Sequence, residues 1–220
     1  LYDLGQTSFV ILYAHIFIVY EAIIQVISNY IKIIFDSCVD INPRALIKKL
    51  LYIAEHVQRL RKGIEMLGIN DLAPEFTLKN TSKEDVSLSD FTDKTVVLAF
   101  YPGAFTGVCD AEMCALQDNL KSFNDLNAIV LGISVDSPWA NGGFSKQYSL
   151  EFDLLSDLDK KVINDYNVVF NGLGGIENYT CANRAVFIIK EGVIKYRWDA
   201  APNPGVEPDY NEIKKQLENI

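Results

Sequence analysis

The sequence predicts an α/β domain with a central mixed sheet and helices on both of its faces, and three observations predict it. Thr95 to Tyr101 (TVVLAFY) and Ala128 to Val135 (AIVLGISV) are short apolar runs rich in β-branched and aromatic residues, the pattern of strands buried within a sheet. Between them, Cys109, Met113, Leu116, Leu120 and Phe123 recur at helical spacing, which makes Cys109 to Phe123 a crossover helix. Farther on, Ala185 to Ile189 and Val193 to Trp198 flank Lys190-Glu191-Gly192 and form a hairpin.

The other elements fit around these. Ala73 to Leu78 and Val86 to Leu88 read as short strands before Ser89-Asp90-Phe91, and Pro102-Gly103 ends the strand that begins at Thr95. Ser137-Pro138 supplies an N-cap and a proline at the first helical position. The helix it opens is weakened at Gly142 and Gly143 by about 1 kcal/mol per glycine. Leu154 to Ser156 is a short strand, Asp157 caps a helix running through Tyr166, and Asp209 to Asn219 is the closing helix. A βαβ unit followed by ββα is the thioredoxin-like order.

The chain has 220 residues, 49% of them hydrophobic, enough for one domain with a sizeable core and something extra. The expected division is an N-terminal extension, residues 1–65, and a thioredoxin-like domain, residues 66–220. The extension holds thirteen Ile and five Tyr and carries a net charge of +1, leaving −10 on the rest. An acidic body argues against nucleic acid and against an anionic membrane surface as partners.

Ser8 to Phe35 is strongly apolar, but His15, Glu21, Asn29 and Lys32 interrupt it and no basic region precedes it, so it is a poor signal peptide. Asn42-Pro43 opens a helical pattern (Leu46, Leu50, Ile53, Val57, Leu60) whose other face is basic, with Arg44, Lys48, Lys49, Arg59, Arg61 and Lys62. One reading is an anchor followed by a basic interfacial helix, and membrane contact is expected only on this reading. The other is that the natural protein begins at Met66. The upstream Ile, Tyr, Phe, Asn and Lys are what AT-rich non-coding DNA yields when translated.

Four cysteines at uneven spacing, with only His15 and His56, match neither a zinc site nor a secreted disulfide framework. The compartment is therefore read as reducing and cytoplasmic, and no metal is expected.

Chemistry concentrates at Phe100 to Cys114 (FYPGAFTGVCDAEMC), which joins the buried strand, the Pro/Gly turn and the start of the helix. A thiol at Cys109 lies among unpaired backbone N–H groups at the positive end of the helix dipole, a setting that favours the nucleophilic thiolate. Thr106 precedes it on the turn and can aim its hydroxyl into the same pocket. Cys109 and Cys114 on an ideal helix are separated by roughly 7.5 Å of rise and about 140° of rotation. A disulfide requires Cα atoms within about 7 Å and converging Cβ vectors, so the first helical turns must unwind for the two to bond. The alternative for Cys114 is a small hydrophobe on the helix's apolar face, the ordinary fate of Cys38 and Cys181.

Pro102-x-x-x-Thr106-x-x-Cys109 resembles the active-site motif of the peroxiredoxins, and Cys114 is similar to the resolving position of their bacterioferritin-comigratory-protein, or thiol peroxidase Q-type, subgroup. The likeness runs from about Leu72 to the C-terminus, some two thirds of the chain. It includes Asn183-Arg184-Ala-Val-Phe-Ile-Ile189, in which Arg184 matches the family's active-site arginine. The resemblance implies a thiol peroxidase acting on hydrogen peroxide and organic hydroperoxides. In it Cys109 becomes a sulfenic acid, Cys114 condenses with it to a disulfide, and thioredoxin or a glutaredoxin-like dithiol protein restores both thiols. It assigns substrate binding and charge stabilisation to Thr106, Arg184 and the backbone N–H groups of Val108 and Cys109, and shielding of the pocket to Pro102. Metal, haem and flavin have no part in it. Asp110 departs from the family, which often has Thr there.

Arg184 on its own reads as either a surface ion pair or a site residue, and Glu112 either braces it or favours the first helical turn. Cys181 is an alternative resolving partner that is expected to be buried. A thiol-disulfide oxidoreductase would carry Cys-x-x-Cys rather than four intervening residues. A peroxide-sensing module that signals without turnover keeps the same cysteine. Phe105 and Trp139 suit a dimer interface or internal packing, so monomer and homodimer both stay open.

Overall fold

The computed structural model describes residues 67–220. The extension at residues 1–65, its basic helix, its two histidines, Cys38 and the start at Met66 lie outside the described residues.

Nine strands and four α-helices follow one another in the described chain: β1 (Thr77–Lys79), β2 (Asp85–Ser87), β3 (Thr95–Phe100), α1 (Gly107–Asp125), β4 (Ala128–Ser134), α2 (Pro138–Tyr148), β5 (Asp153–Ser156), α3 (Lys161–Asp165), β6 (Val169–Asn171), β7 (Thr180–Ala182), β8 (Ala185–Lys190), β9 (Val193–Asp199) and α4 (Tyr210–Glu218). Seven strands form one sheet in the order β2-β1-β5-β4-β3-β8-β9, and β6 pairs with β7 alone. β3, β4 and β5 run parallel through the crossovers α1 and α2, while β8 joins β3 antiparallel. This is the mixed sheet that the sequence predicts.

The alternation of side chains across β3 builds two cores. Val96, Leu98 and Phe100 face a layer containing Ile133, Leu155, Ile163, Tyr166 and Phe187. Val97, Ala99 and Tyr101 face the other side, where Met113, Leu116, Phe123, Phe144, Ile188 and Ile213 pack. Every residue of β3 is buried. At roughly 1.5–3 kcal/mol for each fully buried large aliphatic or aromatic side chain, this strand is the most heavily anchored part of the sheet. The active-site turn leaves from its C-terminal end.

Two local expectations are corrected, and one strand pair is added to them. Val86 to Leu88 is not a strand throughout: β2 is Asp85–Ser87, and Leu88 begins a 3₁₀ turn to Phe91. Asp157 does not stand at the N-cap of a helix reaching Tyr166. Lys160 holds that position in a left-handed conformation, and α3 covers only Lys161–Asp165. Asp157 still serves its N-terminus from a distance, its two oxygens accepting from the N–H groups of Val162 (3.1 Å) and Ile163 (2.8 Å). The β6–β7 pair is absent from the sequence reading because each strand has three residues and the link between them contains Gly172, Gly174 and Gly175, all at positive φ.

Other signals hold. Ser137 caps α2 by accepting from the Ala140 N–H (3.2 Å), Asp209 caps α4, and Glu191 and Gly192 turn the β8–β9 hairpin at positive φ. Gly142 and Gly143 are inside α2, and a Cβ at Gly143 would only touch the Phe105 ring, 3.8 Å from its Cζ. Among the described residues no helix is long and apolar enough to cross a membrane.

Candidate active site

β3 delivers Tyr101 and the buried Pro102-Gly103 to the mouth of the sheet, and the chain turns through Phe105, which adopts φ 61°, into Thr106 and α1. The first backbone bond of the helix is from Asp110 N–H to Thr106 C=O (3.0 Å), so the N–H groups of Gly107, Val108 and Cys109 have no partner inside the helix. Cys109 is the third helical residue and shares the inward face with Met113, Leu116 and Phe123, which leaves it 1% exposed.

Sheet register brings Arg184 to it. Phe100 pairs with Ala185, so the residue before β8 falls beside the turn that follows β3. The Arg184 guanidinium is 1% exposed, and its three nitrogens are each committed. Nε donates to the Pro204 carbonyl (3.0 Å), Nη1 pairs with Glu112 Oε2, and Nη2 donates to Cys109 Sγ (3.3 Å). The surface-ion-pair reading of Arg184 is therefore overturned: strand pairing buries it against the sulfur. Glu112 sits one helical turn after Cys109 on the same face and is wholly buried, so it braces the arginine rather than merely favouring the helix start.

Burial pushes the Glu112 carboxyl up to about 7, and Arg184 pulls the other way. Its Oε1 is buried with no hydrogen-bond partner among the described residues, which is the unpaid part of that desolvation. For Arg184, burial acts to lower the pKa, but Glu112 and Cys109 outweigh it and the group stays charged. Below pH 7, Glu112 protonates and Arg184 loses an anionic acceptor. The rate of Cys109 oxidation by peroxide is expected to fall as pH drops through about 7. In Glu112→Gln that limb disappears and the rate is low throughout. A pH profile of Cys109 oxidation checks this, and an unchanged acid limb in the variant assigns the titration elsewhere.

Thr106 lies on the turn, but its hydroxyl donates to the Gly103 carbonyl (2.9 Å) and does not cap the helix. To serve a bound oxygen it has to rotate off that carbonyl or accept through its lone pairs. Asp110 is tied to α2, its Oδ2 accepting from the Tyr148 hydroxyl (2.8 Å).

Cys114 lies in the unbroken body of α1, half-buried, and its thiol is pushed up by burial, then by Asp118 and Asp110. Cys181 is fully buried on β7 and raised to about 11 by burial, then by Cys109. The three described cysteines are all free. Trp139 is 72% exposed, whereas Phe105, 52% exposed, packs edge-on against Phe144 with ring centroids 5.3 Å apart.

The sequence reading missed three neighbours. Asp136 Oδ2 accepts from the Ala104 N–H (2.8 Å), a Cβ at Gly103 would lie 3.7 Å from the Tyr179 hydroxyl, and the Pro204 carbonyl holds Arg184. Only Asp136 carried a usable signal, because it follows a parallel strand adjacent to β3 and so emerges at the same sheet edge as the turn.

A thiol under a buried guanidinium, at a helix start bearing free N–H groups, has the parts needed to attack an oxygen and stabilise the charge that departs. Among the described residues there is no cluster of metal-ligating side chains. Comparison with known proteins agrees with this chemistry. Residues 69–197 match the model of the AhpC/TSA family. The chain is 35% identical over 133 residues to peroxiredoxin Bcp of Bacillus subtilis, covering 60% of this chain and 85% of that one. It is 35% identical over 148 residues to the chloroplastic peroxiredoxin Q of wheat (Triticum aestivum), covering 67% of this chain and 65% of the wheat protein's length. The crystal structure of a mutant peroxiredoxin Q from Xylella fastidiosa superposes with a TM-score of 0.63 at 24% identity, over 70% of this chain and 98% of that one, which establishes the shared fold. Motif, buried arginine and relatives converge, and the chain belongs to the AhpC/TSA family as a peroxiredoxin of the Bcp or Q type, a thiol peroxidase.

Proposed function

We propose that Cys109 is the peroxidatic thiol and that it reduces hydrogen peroxide and organic hydroperoxides. The Cys109 thiolate attacks one peroxide oxygen. The O–O bond breaks, the sulfur becomes a sulfenic acid, and the departing oxygen takes a proton to leave as water or an alcohol. Arg184 and the N–H groups of Val108 and Cys109 are placed to hold the charge that builds on that oxygen, with Thr106 joining after its hydroxyl turns from Gly103. Pro102 walls the pocket against water. The observation that carries this reading is the contact of Arg184 Nη2 with Cys109 Sγ inside a buried pocket.

Cys114 then attacks the sulfenic sulfur, giving a Cys109–Cys114 disulfide and water. Both residues belong to one continuous helix, so this step requires α1 to unwind from its N-terminus through Cys114. An external dithiol, thioredoxin or a glutaredoxin-like protein, reduces the disulfide. A reducing, cytoplasmic setting fits that supply. The family reading carries no metal, haem or flavin. The exposed Trp139 and half-exposed Phe105 beside the turn suit a homodimer contact, and a monomer is the other possibility.

The test is peroxide consumption with thioredoxin and its reductase. Cys114→Ser is expected to lose catalytic turnover, consuming one equivalent of peroxide to form sulfenic Cys109 and a second as that acid is oxidised to sulfinic Cys109, seen by intact mass. Normal turnover by Cys114→Ser would assign Cys114 to core packing and the resolving role to another thiol.

A further inference from the structure

We propose that Asp136 is a positioning residue for this reaction: its carboxylate fixes the active-site turn through Ala104 and so sets how readily the Cys109 end of α1 unwinds after oxidation. The proposal rests on the two-thiol cycle described above.

The turn has reason to move. Phe105, a bulky residue, is held at φ 61°, a conformation that only surrounding contacts sustain. Its ring packs edge-on against Phe144, and two hydrogen bonds hold the backbone on either side of it. One is local, from the Thr106 hydroxyl to the Gly103 carbonyl (2.9 Å). The other crosses from β4: Asp136 Oδ2 accepts from the Ala104 N–H at 2.8 Å, a charge-assisted bond at the residue preceding Phe105.

Asp136 is itself anchored in the interior. Its Oδ2 also faces the Ser134 hydroxyl (3.1 Å), and its own N–H donates to that oxygen (3.2 Å). Ser134 is fully buried beside Asn141, 3.2 Å from its Oδ1, and the same Oδ1 accepts from the Tyr101 hydroxyl (2.8 Å). Asn141 Nδ2 reaches on to Ser156 Oγ (3.2 Å). Ala104 is thus joined to β4, α2, β5 and the end of β3 by one connected polar network in a low-dielectric core, where such bonds are strong and rigid.

The geometry also confines the grip. The hydrogen bonds of the network described above reach the turn and not Cys109, Arg184 or Glu112, and the N–H groups of Gly107 to Cys109 are left without helical partners. Asp136 therefore holds the folded, peroxide-reactive turn without touching the reacting atoms. Weakening it tilts the balance from attack toward unwinding.

Asp136→Ala and Asp136→Asn separate this role from a merely structural one. With hydrogen peroxide as the probe, Asp136→Ala is expected to slow Cys109 oxidation about tenfold, the scale of one charge-assisted hydrogen bond. It is also expected to form the Cys109–Cys114 disulfide faster and to give less sulfinic Cys109 at a fixed peroxide excess. Asp136→Asn keeps an oxygen that can accept from Ala104 and restores most of both rates. Unchanged rates in Asp136→Ala overturn the proposal, as does an equal loss of both rates together with a lowered Tm. If the wild type forms no Cys109–Cys114 disulfide, the two-thiol cycle is what fails. The Asp136 role is then decided by the Cys109 oxidation rate alone, slower in Asp136→Ala supporting it and unchanged overturning it.

Discussion

Cys109→Ser is expected to abolish peroxide turnover while leaving the fold intact. Removing a covalent nucleophile costs on the order of 10⁴- to 10⁶-fold in rate, because the remaining donors have no attacking atom to serve. Serine supplies an oxygen of nearly the same position and shape, but it does not ionise near neutral pH and lacks the soft sulfur that breaks an O–O bond. The pocket tolerates the change. Cys109 is 1% exposed, and Arg184 Nη2, 3.3 Å from the sulfur, finds an acceptor in the hydroxyl. Stability should therefore shift by no more than about 1 kcal/mol, the range of substitutions that open no cavity and orphan no charge. Peroxide consumption read alongside thermal unfolding checks both halves. Residual turnover at a tenth of the wild-type rate would place the reacting thiol elsewhere, at Cys114 or Cys181.

This residue was legible in the sequence because every clue to it is local. The apolar run to Tyr101, the Pro102-Gly103 stop and the helical spacing from Cys109 place a thiol at a helix start without reference to any distant part of the chain. The same locality explains why Ser137, Asp209 and the Glu191-Gly192 turn were read correctly. Arg184 was harder. Its position before an apolar strand left a surface ion pair and a site residue equally open, and the pairing of Phe100 with Ala185 is what decides between them.

Tyr179 and the Pro204 carbonyl are out of reach of the sequence, because each meets the turn or the arginine from a separate part of the chain through a contact with no sequence periodicity. Asp157 shows the same limit on a smaller scale. A capping carboxylate was recognised, but three residues of irregular backbone separate it from the helix it serves.

The site's second dependence is on the shape of Arg184, not only on its charge. Arg184→Lys is expected to slow Cys109 oxidation by about 10²- to 10³-fold, the effect of losing a preorganised donor at a developing oxyanion. A guanidinium reaches Pro204, Glu112 and Cys109 at once because its donors diverge in one rigid plane. A lysine Nζ is a single point. Drawn to the buried Glu112 carboxylate, it abandons the sulfur and the Pro204 carbonyl, so positive charge is retained and catalysis is still lost. Arg184→Ala goes further by leaving Glu112 buried and unpaired. Breaking a buried pair in this way costs roughly 3–5 kcal/mol, but Arg184 is also what holds the buried Glu112 carboxyl down, so without it the carboxyl takes a proton more readily and relieves part of that cost as the pH falls. The two variants should therefore separate: Arg184→Lys loses rate with a modest change in Tm, and Arg184→Ala loses both, with its stability deficit smaller at pH 6 than at pH 8. Stopped-flow oxidation of Cys109 and unfolding at the two pH values read the difference. A lysine variant that keeps the wild-type rate would mean that charge alone suffices and that the three-way fork is scaffolding.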